Sequence, residues 1–319
     1  TVGNGRSSEF EWQGWIPFRQ NPHVINPERG FVSSANQYLT DESYPYYLGE
    51  SFAPFERGRR INDLLRDGND FTIKDMQRMQ LDNHSYRAEK ILPVMLDELN
   101  FAELSQNELF ILQNLIEWDY TNRGESTAPT LFNEWWGALY NSVWEDVFDA
   151  SFPLRRPSGE LTMQMLLNDP DSKWINNTKS DIIESLSDLV ISSYKESIEN
   201  LEERFGAYGE GWQWGYYNNT DLAHLGRIPG LGEMKLFTDG ARESLNAIRG
   251  SHGPSWRMVV ELGPEVKGYG VYPGGQSGNP GSGSYTEFIS TWHNGGLFEL
   301  QFFREKPDPD DFPLVIRFR

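Results

Sequence analysis

Asn21-Pro22-His23-Val24-Ile25-Asn26-Pro27-Glu28-Arg29-Gly30-Phe31-Val32-Ser33-Ser34-Ala35-Asn36, with Arg57-Gly58-Arg59-Arg60-Ile61 beyond it, reads as a tight turn, a short strand and then a helix. Pro22 and Pro27 lock φ, and each pushes the residue before it toward extended geometry. Gly30 reaches backbone conformations closed to other residues, so the turn can close before Phe31. Phe31-Val32-Ser33-Ser34 has strand composition, and Asn36 falls where that strand gives out. Two readings of Asn36 stand on these residues alone. Asparagine commonly caps a turn, and an amide at a strand end can also donate to negative charge developing on an acyl oxygen.

Outward from this stretch, residues 1 to about 50 are rich in Pro, Gly, Asn and aromatic residues, so short strands and loops are expected. Helical signals begin near Phe52. Thr72-Ile73-Lys74-Asp75 has the form of a helix start, and Met76, Met79 and Gln80 begin a helical stripe. Pro93 predicts a break or kink before Leu99. Residues 105–117 and 130–149 repeat the apolar spacing of amphipathic helices. Ser180-Asp181-Ile182-Ile183-Glu184 is expected to open a long helix running to Phe205 and ended by Gly206. Loops are expected around 119–129, 151–158 and 206–230.

Strand character returns at Ser255–Leu262, before a Gly-rich loop at 268–283, a helix at about 284–294 and strands at 297–303 and 313–318. The fold class is therefore α+β. A helical part (91–250) lies between two sheet-forming parts (1–90 and 251–319).

The chain has 319 residues, enough to bury a large core, and carries a formal charge of −19. That charge argues against nucleic acid as a partner. The densest basic run, Arg57-Gly58-Arg59-Arg60, sits among Glu50, Glu56 and Asp63, and internal ion pairs are expected for it. There is no cysteine, which rules out disulfides and thiolate metal sites. No apolar run approaches membrane-spanning length, so no membrane partner is expected. Thr1-Val2-Gly3-Asn4-Gly5-Arg6 reads like the middle of a longer polypeptide.

Most familiar site patterns are missing. The five histidines show no metal-ligand spacing. No Gly-x-Ser-x-Gly elbow exists, and no Lys follows the glycines of 274–283 as a phosphate loop requires. The acidic runs Asp41-Glu42 and Asp308–Asp311 read as turns or solvated faces. An N-terminal threonine such as Thr1 can act as a nucleophile with its own amine as base.

Three blocks in order along the chain carry a resemblance. The first is Trp12-Gln13-Gly14-Trp15-Ile16-Pro17-Phe18 with the Asn21–Asn36 turn and the Arg57–Ile61 segment. The second is Met79-Gln80-Leu81-Asp82-Asn83-His84-Ser85. The third is Gly274-Gly275-Gln276-Ser277-Gly278-Asn279-Pro280 with Ser284-Tyr285 and Trp292-His293-Asn294-Gly295-Gly296. Together they resemble the penicillin acylase (penicillin amidase) family of N-terminal-nucleophile hydrolases, C-terminal part of the β-chain.

The resemblance implies part of an αββα sandwich with a large helical insertion, and an amidohydrolase that cleaves linear amides by acyl transfer. It makes Asn36 an oxyanion donor and Arg57 the residue that orients it or the substrate. It also argues against Thr1, because the family's nucleophile is a serine upstream of the Trp-x-Gly segment. The nucleophile is then expected on polypeptide outside this chain, with the isolated chain inactive. The expected partners are the upstream part of the β-chain, the α-chain and a small-molecule amide. No cofactor is expected, although some members of the family bind structural calcium and the complete protein could do so, and the location implied is bacterial periplasmic or secreted. Ala35 stands where some members have tryptophan, so the acyl pocket is expected to differ in shape. The alternative is a non-catalytic binding or scaffolding module of the same descent.

Overall fold

The computed structural model describes residues 5–8, 11–49, 51–148, 154–179, 181–250 and 253–312. The expected strand at 313–318, Thr1 and Ser180 lie outside the described residues. The helices are α1 (Glu56–Arg66), α2 (Ile73–Gln80), α3 (Tyr86–Asp97), α4 (Gln106–Ile116), α5 (Ala128–Trp144), α6 (Gly159–Asn168), α7 (Leu186–Phe205), the single turn α8 (Trp214–Tyr217) and α9 (Ile289–His293).

Strands β1 (Thr220–Leu222) and β2 (Glu233–Leu236) form one antiparallel pair. Strands β3 (Arg257–Glu261), β4 (Lys267–Val271) and β5 (Phe298–Leu300) form an antiparallel three-stranded sheet in the order β3-β4-β5. The architecture is α+β.

Helix starts follow local chemistry. Thr72 accepts from the Asp75 N–H while the Asp75 carboxylate accepts from the Thr72 N–H, which closes a capping box on α2. Ser105 with Glu108 does the same for α4, and Ser185 with Asp188 for α7. The long helix thus begins at Leu186, not near Ser180. Glu184, assigned by its sequence to the helix opening, is held in the preceding loop, where its carboxylate accepts from the Asn177 N–H and its N–H donates to Asn176. Gly206 ends α7 with φ at +80°, a conformation that glycine takes without a Cβ clash.

Pro93 does not break α3, which continues to Asp97. A mid-helix proline costs about 3 kcal/mol. Ile91, Leu92 and Met95 on the same helix are fully buried, and at about 1.5–3 kcal/mol each their burial outweighs that cost.

The main core is helical. Leu131, Phe132, Trp135 and Leu139 of α5 meet Val190, Tyr194, Ile198 and Leu201 of α7, and α3, α4 and α6 pack around them. Ile248, Val271 and Trp292 form a smaller cluster under the three-stranded sheet.

Three further expectations need correction. Phe31–Ser34 is not a strand, and no strand forms among the described residues before Thr220. Strand hydrogen bonds need a neighbouring strand, and none lies beside this segment among the described residues. The Gly-rich stretch is not all loop, since Gly268 and Gly270 lie in β4. A Cβ at Gly270 would sit 2.8 Å from the Trp256 ring, so the missing side chain is what lets the ring lie on the strand. Finally, β1 and β2 arise in a region expected to be helix and loop, and neither strand shows the alternation that marks a longer one.

Candidate active site

The turn expected at Pro27–Gly30 closes with the Gly30 N–H donating to the Pro27 carbonyl at 2.9 Å, and Gly30 has φ at +75°. Beyond it the chain runs without regular secondary structure to Ala35, which is buried, and Asn36, which has φ at +64°. Asparagine tolerates this left-handed conformation better than most residues. The Asn36 carbonyl accepts from the Ala53 N–H at 2.8 Å. The Ala35 N–H donates to Gln37 Oε1 at 2.6 Å. Gly58 leaves room for that Gln37 side chain, which a Cβ would approach to 3.3 Å. Arg29 Nη1 donates to Asn62 Oδ1 at 2.9 Å, which ties the turn to α1.

Arg57, in the first turn of α1, reaches back to this segment. Its Nη2 donates to Asn36 Oδ1 at 3.1 Å and to the Ala35 carbonyl at 3.2 Å. A guanidinium has donors only, so the amide oxygen must face it. Asn36 Nδ2 then faces away, and among the described residues nothing else bonds it. The ion pair expected for Arg57 is absent among the described residues, and the arginine that makes one is Arg60. Arg60 Nη2 lies 2.6 Å from Asp82 Oδ2 and Nε donates to both oxygens, a bidentate pair that raises the Arg60 pKa and fastens α1 to the loop after α2.

Asn36 and Arg57 open onto a cleft of about 1610 Å³. One wall is the start of α1, with Phe55 through Arg59. Another is the start of α6, with Pro157, Ser158 and Glu160, and a third is made by residues of 242–249 together with 253–256. Burial pushes the Glu160 carboxyl up, with Glu56 adding to the effect, while its hydrogen bond to the Phe55 backbone opposes it. Glu56 is 1% exposed, and its Oε1 accepts from Arg87 at 2.7 Å. Seven arginines line the cleft against four carboxylates, Glu56, Asp63, Glu160 and Glu243. Only Arg57 among the seven was singled out by sequence. Arg155, Arg156, Arg242 and Arg249 carry no local signal.

No residue of the other two blocks lines this cleft. Asp82-Asn83-His84 is a junction. Asn246 Nδ2 donates to Asn83 Oδ1 at 2.9 Å, Asn122 Nδ2 to the Asn83 carbonyl at 3.0 Å, and His84 Nε2 sits 2.7 Å from Glu89. Arg257, 4% exposed, joins the same junction through Asn246 and stacks on Trp292, and desolvation lowers its pKa to about 10. The Gln276-Ser277-Gly278 loop is closed by the Ser277 N–H on the Ser284 carbonyl and the Phe288 N–H on the Gly274 carbonyl.

The acidic runs are turn caps. Asp41 accepts from the Ser43 N–H and Asp308 from the Asp310 N–H. Among the described residues no group of three His, Asp or Glu converges as a metal ion would require. None of their helices is long and apolar enough to cross a membrane.

Comparison with known proteins adds to this geometry. The sequence profile of the Penicillin amidase family matches residues 1–308. Acyl-homoserine lactone acylase QuiP of Pseudomonas aeruginosa is 25% identical over 348 residues, which cover 93% of this chain and 40% of that protein. Penicillin acylase 2 proenzyme of Pseudomonas sp. strain SE83 is 26% identical over 324 residues, with 93% and 40% covered. The chain thus spans about 40% of the length of the curated relatives it matches. Among solved structures, thermostable penicillin G acylase from Alcaligenes faecalis superposes with a TM-score of 0.62 at 15% identity, covering 97% of this chain and 61% of that one. At that identity the likeness shows the fold.

Proposed function

Because the chain belongs to the penicillin amidase family, we propose that it forms part of an acylase that hydrolyses linear amides, with Asn36 as a donor to the oxyanion. The observation that supports this most is the Arg57–Asn36 hydrogen bond of 3.1 Å beside the cleft. It fixes the amide with its oxygen inward and leaves two N–H groups for a ligand. Arg57 positions this donor.

In the reaction proposed, a serine oxygen attacks the substrate carbonyl and negative charge collects on the carbonyl oxygen. Asn36 Nδ2 stabilises that charge. The C–N bond breaks as the amine takes a proton, and water then cleaves the acyl ester. The serine would come from polypeptide outside these 319 residues, within the part of the relatives that this chain does not span.

The test is a panel of linear amides, acyl-homoserine lactones and penicillins among them, offered to the full-length protein with intact-mass detection of the acyl-enzyme. Release of amine with transient gain of the acyl mass is the expected result. A full-length protein that binds these amides yet releases no amine would overturn the reading and favour a binding module.

The partner proposed is the remainder of the acylase, and a periplasmic location belongs to the same proposal. Trp12, Trp15 and Phe18 are 93%, 94% and 89% exposed, on a segment with no strand or long helix of its own. Rings so exposed favour association. The 319-residue chain alone is expected to self-associate in light scattering, and Trp12→Ser with Trp15→Ser should reduce this. A monodisperse monomer at tens of micromolar would contradict the proposed covering partner.

A further inference from the structure

We infer that two ion pairs of opposite polarity fix the seating of α1 and so hold Arg57 against Asn36, which makes Arg60 and Asp82 positioning residues. This rests on the acylase reading only in taking Asn36 as the oxyanion donor. None of Arg60, Asp82 and Arg87 lines the cleft, so they act on it through α1.

The start of α1 lacks a local anchor. Phe55 stands at its N-cap position and gives no side-chain cap, whereas Thr72, Ser85 and Ser105 cap α2, α3 and α4. One face of the helix holds it instead. Glu56 and Arg60 are four residues apart, so they lie one above the other. Both pair with the segment 82–87, which is the loop after α2 and the first turn of α3. Arg87 Nη2 donates to Glu56 Oε1 at 2.7 Å and Nε to the same oxygen at 3.2 Å. Arg60 donates to both oxygens of Asp82, with its shortest contact at 2.6 Å. Glu56 is buried and the other three side chains are mostly buried, so salt screens these pairs little.

The segment that receives α1 is itself fixed. Asp82 Oδ1 accepts from the His84 N–H at 3.2 Å, and the Asp82 carbonyl accepts from the Asn246 N–H at 3.0 Å. The Asn83 carbonyl accepts from the Asn122 N–H at 3.0 Å, and the Ser85 N–H donates to the Tyr120 carbonyl at 2.7 Å.

The order of charges gives the seating its register. Both α1 and the receiving segment run from a negative to a positive residue, and they meet crosswise. Sliding α1 by one turn would set Glu56 against Asp82, or Arg60 against Arg87, and like charges so placed repel. Arg57 follows Glu56 by about 100° around the helix. Fixing Glu56 therefore fixes where the Arg57 side chain leaves α1, and from there it reaches Asn36 Oδ1 at 3.1 Å. Arg87 Nη2 also lies 3.8 Å from Glu243, which ties the same anchor to the third wall of the cleft.

The test uses the Arg60–Asp82 pair, because removing Arg87 would strand the buried Glu56 charge and threaten the fold. Hydrogen exchange is read by mass spectrometry on the full-length protein. Amides of 56–66 should exchange about tenfold faster in Arg60→Gln and in Asp82→Asn than in the parent, with α7 unchanged. A double-mutant cycle then asks whether the effect reaches turnover through Arg57. On a linear amide that the parent cleaves, Arg60→Gln should lower kcat about fivefold with KM near the parent's. In the Arg57→Ala background the same substitution should lower kcat by less than about twofold, because the contact it serves is already gone. Should Arg60→Gln fail to fold, Arg60→Lys, which keeps the charge and loses the planar fork, is read in the same cycle.

Unchanged exchange across α1 would overturn the inference. So would an undiminished kcat in Arg60→Gln, or a loss of equal size in both backgrounds, which marks a pair that serves stability alone. A full-length protein that cleaves no linear amide would overturn the acylase reading, and exchange across α1 would still decide whether the two pairs seat the helix.

Discussion

Asn36→Ala in the full-length protein is expected to lower kcat by about 10²–10³, the loss typical of removing one oxyanion donor. The protein should keep its fold, because Asn36 is exposed and no core residue depends on its side chain. The backbone there needs care. At φ of +64° an alanine carries left-handed strain of roughly 1–2 kcal/mol, while glycine carries none. Asn36→Gly therefore separates the two readings of this residue. If the amide is the donor, alanine and glycine variants lose rate alike and form acyl-enzyme slowly. If Asn36 only shapes the turn, glycine restores the rate to near the parent's. Arg57→Ala should cost less than either, because the amide survives and only its orientation is released. Its loss should fall on kcat more than on KM, since Arg57 acts on the donor that meets the transition state.

Trp135→Ala is expected to cost about 3–5 kcal/mol of stability, the range for deleting a large buried ring. Trp135 is fully buried at the α5–α7 contact. Its ring centre lies 4.9 Å from that of Tyr194, and Nε1 donates to the Val190 carbonyl at 3.1 Å. Three losses coincide in the variant: apolar burial, the ring pair and the indole hydrogen bond, although the Val190 carbonyl still accepts from the Ser193 hydroxyl at 3.1 Å. The melting temperature should fall by on the order of 10 °C. Trp135→Phe keeps most of the area and loses the hydrogen bond, so it should fall between parent and alanine. A Trp135→Ala protein within 1 kcal/mol of the parent in chemical denaturation would show that α5 and α7 are not the centre of stability.

Much of the helical framework was legible because its signals act within four residues. Thr72 with Asp75 and Gly206 after Phe205 each complete their hydrogen bonds or their turn locally, and the structure has them where the sequence places them. Pro27 and Gly30 likewise closed the expected turn. Local signals failed where tertiary energy outweighed them. Pro93 did not stop α3 because the burial of Ile91, Leu92 and Met95 exceeds the loss of one helix bond. Phe31–Ser34 had strand composition and made no strand, because a strand is a property of two segments and no second lies beside it among the described residues.

The family relationship was also readable in advance, since motif order along the chain does not depend on folding. Asn36 and Arg57 could be named from it. What sequence alone determined about this protein is the starts of α2 and α4, the stop of α7 at Gly206, its turn at Pro27–Gly30, its family and two candidate site residues. Tertiary structure alone decided that Arg57 turns to Asn36 and not to a carboxylate, while Arg60, three residues on, takes Asp82. It also decided that arginines from residues 57–66, 155–156 and 242–249 converge on one cleft in a chain of strong negative charge. The physical reason is range. Caps and turns are settled by neighbours in sequence, whereas the partner of a guanidinium and the sign of a cleft are settled by whichever charges folding brings within a few ångströms, however far apart they lie along the chain.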